Sequence, residues 1–452
     1  MKKHMPISPE KAFLFLAITF GILLVFITPP FQTPDENDHF YHAFQIAEMK
    51  FKAEKNENKV GGLLPTSLKK TVETTMDDIA FHPEKKITIK NIFAALKIPL
   101  NVKDREFIEF TTVTYSPVVY IPQSMGIFIG KTLKFSPLIL MYIGRSFNLF
   151  FWIIIIYLTI KITPILKWTF YLLAIMPMSI FLSSSLSADT ITNALCFLFI
   201  SFVFSCAFQK EGKITNNDIF IILLLSILIS LTKHVYFITS AIFLIIPYEK
   251  VDNRKKYNII FLSLIVLSAS VFIGWYLITK ELLPPLLKSD VFPNEQIAFI
   301  VKHPIKFLLI SIKTLTSKKF LSHFVGQLGW LDTQMSWLFI TSYILILWLS
   351  SFVGKVENFT VSKYQKVISF ITFLMIVLLI CIAAYITLTP VGRERIHRIQ
   401  GRYFIPIAPL LFLLFYNKKI KINNKIRDNV FIVYSIFSLM YTVFVIIKRF
   451  YV

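Results

Sequence analysis

Charge and cysteine are what this 452-residue chain has little of. Only 16% of its residues are charged, against about 25% in a typical soluble domain. A chain of this length would otherwise suggest roughly three soluble domains. The three cysteines, Cys196, Cys206 and Cys381, each sit inside an apolar run, which excludes a disulfide scaffold and a zinc framework. Acidic residues are the scarcer of the charged ones: 26 Asp and Glu face 48 Lys and Arg, a formal +22. A phosphate-cradling glycine loop and a Ser-His-Asp nucleophile motif are both missing. So is the internal repeat that an inverted-repeat transporter would carry.

What is there is apolar. Hydrophobic residues make up 55% of the chain and the mean hydropathy is +0.65. They lie in runs of the length, about 20 residues, that crosses a bilayer. The 46 Phe and 18 Tyr suit such spans and their interfacial belts. A soluble enzyme and a disordered chain are thereby excluded. Many of the cations sit in short loops between the runs, as the positive-inside rule and anionic lipid require, so no nucleic-acid partner is inferred.

The fold class is an all-α polytopic membrane protein, one integral membrane domain over 1–452. Spans are expected at 12–28, 138–160, 168–183, 190–208, 218–232, 235–248, 258–279, 337–354, 367–388, 403–416 and 430–447, about eleven transmembrane helices. The first is read as uncleaved, because Thr28-Pro29-Pro30 follows it in place of a small-residue cleavage site. The proline-punctuated stretch 115–131 is read as interfacial or re-entrant. With the N-terminus inside, the inner loops are 161–167, 209–217, 249–257, 355–366 and 417–429, and every one is net positive. Outside lie the first extracytoplasmic loop, 29–137, the turns 184–189 and 233–234, a second large loop, 280–336, and the short loop 389–402. The C-terminus, with Lys448 and Arg449, also falls outside, against the charge rule.

Polar clusters gather on that outer face. After the first span come Thr33, Pro34, Asp35 and Glu36, a capping box with proline at the first helical position. Phe40, Ala43, Phe44 and Ala47 then predict an amphipathic helix on the membrane, with Asp35, Asp38, His39 and His42 on its polar face. That face is either a solvated surface, a general base where the helix dipole favours its charge, or an Asp/His site for a divalent metal, for which no specific motif is present. Tyr115 opens an aromatic segment that anchors in the membrane or lines a groove. Arg145, inside a long span, pairs with Asp189 or another acid, or meets a phosphate. Asp189 follows a serine-rich turn and starts a helix. Lys233 either snorkels or meets an anion. Trp330, beside Asp332, is an interfacial tryptophan or a platform for a sugar face. Arg393, Arg395, Arg398 and Arg402, with Gln400 and Tyr403, form a headgroup patch or a site for a lipid-linked phosphate.

Pro29-Pro30 through Pro34-Asp35-Glu36 to His39-Phe40 resembles the DUF2142 family of bacterial predicted membrane proteins. So do Tyr115-Ser116-Pro117, Ser187-Ala188-Asp189, Gly329-Trp330-Leu331-Asp332 and Gln400-Gly401-Arg402-Tyr403-Phe404-Ile405-Pro406. The match runs in order over most of the chain. That family is similar to GT-C fold glycosyltransferases, which take a sugar from a polyprenyl-linked donor on the outer face. The resemblance implies that Asp35, or Glu36 beside it, is the catalytic base and Asp189 a second acid. It implies that Arg402 and Arg393 hold the donor phosphate, with Lys233 and Arg145 as further candidates. His39, Tyr115, Trp330, Asp332, Gln400 and Tyr403 would then line the substrate groove.

The expectation is an enzyme of the bacterial cytoplasmic membrane with an extracytoplasmic active site. It moves a sugar from a polyprenyl-phosphate donor to an envelope glycan with inversion, needs no cofactor and has membrane lipid around it. The alternatives are a transporter or flippase, a polymerase or ligase for a lipid-linked glycan, and a scaffold. The topology is tested in a chain whose native cysteines are alanine. An impermeant maleimide labels Asn58→Cys in intact cells and Asp252→Cys only after the membrane is opened. The opposite pattern would invert the topology.

Overall fold

Helix α1 (Pro9–Ile27) starts with proline in its first turn, where a missing N–H costs nothing, and stops at Thr28-Pro29-Pro30. Phe13, Leu16, Ala17 and Leu24 turn inward, while Phe15, Ile22 and Phe26 on the other side are 69%, 50% and 59% exposed. Such a face is stable only against lipid. The computed structural model describes residues 7–76, 78–209, 211–283, 290–352, 360–417 and 423–452. Lys2, Lys3, Lys210, Lys355, Lys418, Lys419 and Lys421 of the charge argument lie outside them.

The segment 29–137 is a packed layer in its own right. In chain order it holds α2 (Glu36–Ala47), β1 (Glu54–Asn56), β2 (Lys59–Pro65), α3 (Thr66–Met76), α4 (Ile89–Leu96), β3 (Arg105–Glu109) and α5 (Ile121–Thr132). The strands form an antiparallel sheet, β1-β2-β3, with Gly61 opposite Glu109 and Leu64 opposite Glu106. The sheet adds to the all-α expectation. Its hydrophobic core joins Phe40, Phe44, Leu64, Leu68, Ile108 and Tyr120. Helix α2 therefore does not lie on the membrane with a solvated face. His39 and His42 are buried with it, because sheet and α5 cover the side that was expected to meet water. Helix α5, 12 residues and so about 18 Å long, is too short to cross about 30 Å of hydrocarbon.

The remaining helices are long and apolar or short and broken. They are α6 (Pro137–Ile162), α7 (Lys167–Ile175), α8 (Pro177–Ser183), α9 (Asp189–Phe204), α10 (Asn216–Thr232), α11 (Arg254–Thr279), α12 (Pro293–Lys302), α13 (Pro304–Leu315), α14 (Lys318–Val325), α15 (Trp337–Phe352), α16 (Lys363–Leu388), α17 (Ala408–Phe412) and α18 (Asn424–Phe450). Runs of 3₁₀ helix cover His234–Ile245 and Gly401–Ile407. Among the described residues, six helices are long and apolar enough to cross a membrane: Pro9–Ile27, Pro137–Ile162, Asp189–Gln209, Arg254–Leu282, Lys363–Leu388 and Asn424–Phe450. Four shorter apolar helices lie between them.

The expected span 168–183 is broken at Pro177. Met176 is extended, as a residue before proline prefers. Ser179 Oγ donates to the Leu173 carbonyl at 2.6 Å, satisfying one acceptor that the break leaves free. Pro406 and Pro409 similarly keep 401–415 in short turns.

Hydrogen bonds sort the helix ends into two sets. At the end where α1 finishes, Ser116 Oγ reaches the Leu231 carbonyl, Trp275 the Thr114 carbonyl and Gln296 the Thr389 carbonyl. At the opposite end Ser201 bonds Thr159, Lys250 bonds Cys206, and Gln365 bonds Ile245. The C-terminal end of α18 belongs with the first set: Tyr451 donates to the Ile27 carbonyl, and the Ile87 N–H to the Phe450 carbonyl. Its cation Arg449 is absorbed there by Asp332 and the Ile79 and Lys85 carbonyls.

Gly61 has no room for a side chain, since a Cβ would strike the Ile108 carbonyl oxygen of β3. Both sides of that contact are backbone, so neither can yield. Gly61→Val is expected to cost about 1–3 kcal/mol, seen as a lower Tm of the detergent-solubilised protein. An unchanged Tm would contradict the register.

Candidate functional site

Two adjacent acids at the start of α2 point to different surroundings. Glu36 is fully buried and accepts two bonds from the Arg145 guanidinium, 2.7 Å from Nε and 2.6 Å from Nη2, and one from the Leu186 N–H at 3.1 Å. It closes no capping box. Arg145 spends its other donors on the carbonyls of Val25, Thr28 and Pro29 at 2.8–3.0 Å. A guanidinium has five N–H bonds, and here all five are used. Two expectations are thereby corrected. Glu36 is not a base, because its oxygens are committed inside the protein, and Arg145 does not hold a phosphate, because it has no donor left.

Asp35 is placed the other way. Its backbone is left-handed, φ 60° and ψ 19°, a region that costs a non-glycine residue of order 1 kcal/mol. Its side chain caps no N–H of α2 and is 48% exposed. One carboxylate oxygen lies 3.7 Å from Arg402 Nη2.

Arg402 brings the second acid in. It is the second residue of the Gly401–Ile407 turn, 4% exposed, with Nε 3.5 Å from Asp189. The turn comes this close because Gly401 has no Cβ; one would collide with the Phe320 carbonyl and the Phe324 amide of α14. Asp189, buried at the first turn of α9, also forms an ion pair with Lys233. Lys233 does not snorkel. Its ammonium stands 4.6 Å over the Tyr403 ring and 5.8 Å from that of Tyr115. Tyr403 is fixed through its carbonyl, which accepts from Tyr236 at 2.6 Å. The result is a formally balanced quartet of Asp35, Asp189, Lys233 and Arg402 with Tyr115 and Tyr403 as walls. Within it Arg402 Nε and Nη1 make no hydrogen bond.

His39 lies behind this quartet, 2.7 Å from the Tyr120 hydroxyl through Nδ1. Burial pushes its imidazole down to about 3, so it is neutral at physiological pH. Asp38 turns away and accepts the Thr111 N–H and hydroxyl at 2.8 and 2.5 Å. The side chains that the metal alternative on α2 would need thus point apart, and among the described residues no group of three His, Cys, Asp or Glu is placed to hold a metal ion.

Other expected residues lie elsewhere. Asp332 does not line the groove; it pairs with Arg449 at 2.8 Å, tying the C-terminal end of α18 to the 326–335 segment. Arg393 is exposed in the loop 389–402, and among the described residues no contact joins it to the quartet, so it is set aside as a phosphate ligand. Trp330 donates to the Phe31 carbonyl at 3.0 Å, next to the turn that presents Asp35. Gln400 precedes Gly401 with a buried, unpartnered Oε1. A shallow cleft at the far end of α2 holds Glu48, Arg105 and Lys131, but both cations are spent on Glu48. The sequence reading missed His323 of α14. It is 3% exposed with neither ring nitrogen bonded, and no motif surrounds it.

Arg145→Ala is expected to destabilise the protein by about 3–5 kcal/mol, since it leaves Glu36 buried and unpaired. The double change Arg145→Met with Glu36→Leu should recover most of that loss. Thermal unfolding in detergent separates the two, and equal losses would refute the pairing.

No curated protein and no solved structure matches the chain. The profile of one family, described as a predicted membrane protein, matches residues 18–411. That stretch contains both acids, both cations and the helices that position them, and the chain belongs to the DUF2142 family of predicted membrane proteins.

Proposed function

We propose that this protein is an inverting glycosyltransferase that moves a sugar from a polyprenyl-phosphate donor to a cell-envelope glycan on the outer face of the bacterial cytoplasmic membrane. The observation that carries the reading is Arg402: a buried guanidinium with two donor nitrogens that make no hydrogen bond, beside one half-exposed carboxylate and one buried carboxylate paired with Lys233. Leaving such donors unpaired costs about 1–3 kcal/mol or more, a cost removed when an oxyanion binds them.

The topology supports the same reading. Eleven passages are proposed, because the two sets of helix ends alternate along the chain as eleven crossings require. The described cations Lys161, Lys167, Lys213, Lys250, Lys256, Lys363 and Lys366 lie at helix ends and connections away from the quartet, and the positive-inside rule then favours an outer position for the quartet. A transporter would need charge at mid-membrane depth, and Arg145, the cation best placed for that, is consumed by Glu36.

In the reaction, the donor phosphate takes the free N–H groups of Arg402. Asp35 accepts the proton of the acceptor hydroxyl as its oxygen attacks the anomeric carbon on the face opposite the phosphate. The new C–O bond forms as the bond to phosphate breaks. The negative charge then lands on a phosphate oxygen that the guanidinium stabilises without having to reorganise. Asp189 touches no substrate; it positions Arg402 and Lys233.

Envelope glycans from a strain lacking the gene test this by mass spectrometry. Wild type should add one hexose-sized increment. Asp35→Asn should lower transfer by about 10²–10⁴-fold while inserting normally. Equal restoration by both proteins would overturn the reading.

A further inference from the structure

His323 and Arg402 lie on the two elements that Gly401 brings together, the helix α14 and the 401–407 turn, and the guanidinium is near enough to act on the imidazole electrostatically. The atoms Gly401 presses on belong to Phe320 and Phe324, which bracket His323 in the sequence. Both side chains are buried, and both carry polar atoms without partners: the two imidazole nitrogens, and Nε and Nη1 of the guanidinium. Gln400, next in the chain before Gly401, adds a buried amide oxygen without a partner. One such orphan is a local defect. Several on facing elements form an unfilled polar seat.

We propose that His323 and Arg402 together seat the donor's phosphodiester, and that His323 takes up a proton when that anion binds. The proposal rests on the reading above and deepens it by giving the seat its charge preference. Asp35 and Asp189 already balance Lys233 and Arg402, so an incoming phosphodiester brings one uncompensated negative charge into a buried place. An imidazole is the side chain able to answer it near neutral pH. One proton balances one charge, which selects a single phosphodiester over a pyrophosphate.

The charged surroundings of His323 agree. Lys319 on its own helix and Arg402 opposite are both cations, and together with burial they push the imidazole down to about 4, so it is neutral before the anion arrives. Of the other elements packed on α14, α8 and the strand Gln327–Leu328 have no titratable group. Helix α13 brings Lys306 and Lys313, the latter paired with Glu394, α15 brings Tyr343, bonded to the Leu172 carbonyl, and the 401–407 turn adds Tyr403. None supplies a carboxylate that would protonate His323 without ligand. Binding must then raise its pKa, so affinity grows as pH falls toward the bound value and levels off near the free one.

The test uses the full chain in phosphatidylcholine nanodiscs with farnesyl methyl phosphodiester, whose one charge does not titrate in the range used. Calorimetry in two buffers of different ionisation enthalpy gives both affinity and proton uptake. Wild type is expected to bind about tenfold more tightly at about pH 5.5 than at about pH 8, with up to one proton taken up. His323→Gln should bind with no such slope. Binding by wild type without proton uptake overturns the role of His323 and leaves the donor-phosphate reading standing. A wild-type slope retained in His323→Gln overturns it equally. Absence of binding by wild type at both pH values overturns both. The wild-type measurement decides even if the variant fails to fold.

Discussion

The Arg145–Glu36 pair is the constraint on which the arrangement around the quartet depends. Two charges deep inside the protein are tolerable only if every donor and acceptor is met. Meeting them draws four pieces of chain to one point: the end of α1 through three carbonyls, the start of α2, the middle of α6 and the turn before α9 through the Leu186 N–H. Asp35 precedes Glu36 and Asp189 follows Leu186 by three residues. The pair therefore fixes where both acids of the quartet stand without taking part in it.

The quartet itself divides its labour by burial. Asp189 has both oxygens facing cations and low exposure, so it holds Lys233 and Arg402 side by side. Asp35 has one cation at 3.7 Å and is 48% exposed, so it is the acid of the quartet that solvent or a ligand can reach. The same side chain is thus enclosed in one place and accessible in the other.

The sequence made the residue types of the site legible, and left their partners obscure. Asp35, Asp189, Lys233, Arg402, Tyr115 and Tyr403 stood out because polar residues at the ends of apolar runs are expensive unless used, and all six converge. Glu36 and Arg145 stood out for the same reason and turned out to satisfy each other, a pairing across 109 residues that no local spacing encodes. Asp332 found Arg449 across 117 residues. His323 was invisible because an isolated histidine in a lysine-rich helix carries no periodic signal. The long apolar runs gave the helices, and the break at Pro177 was readable only as a proline. The β1-β2-β3 sheet escaped because it was hidden in a segment read for its helix caps.

The left-handed backbone at Asp35 sets stability against chemistry at a single position. Glycine occupies that conformation freely. A glycine at position 35 would ease the entry into α2 and, in the same stroke, remove the half-exposed carboxylate that faces Arg402. The backbone's most comfortable residue and the quartet's charge balance ask for different amino acids.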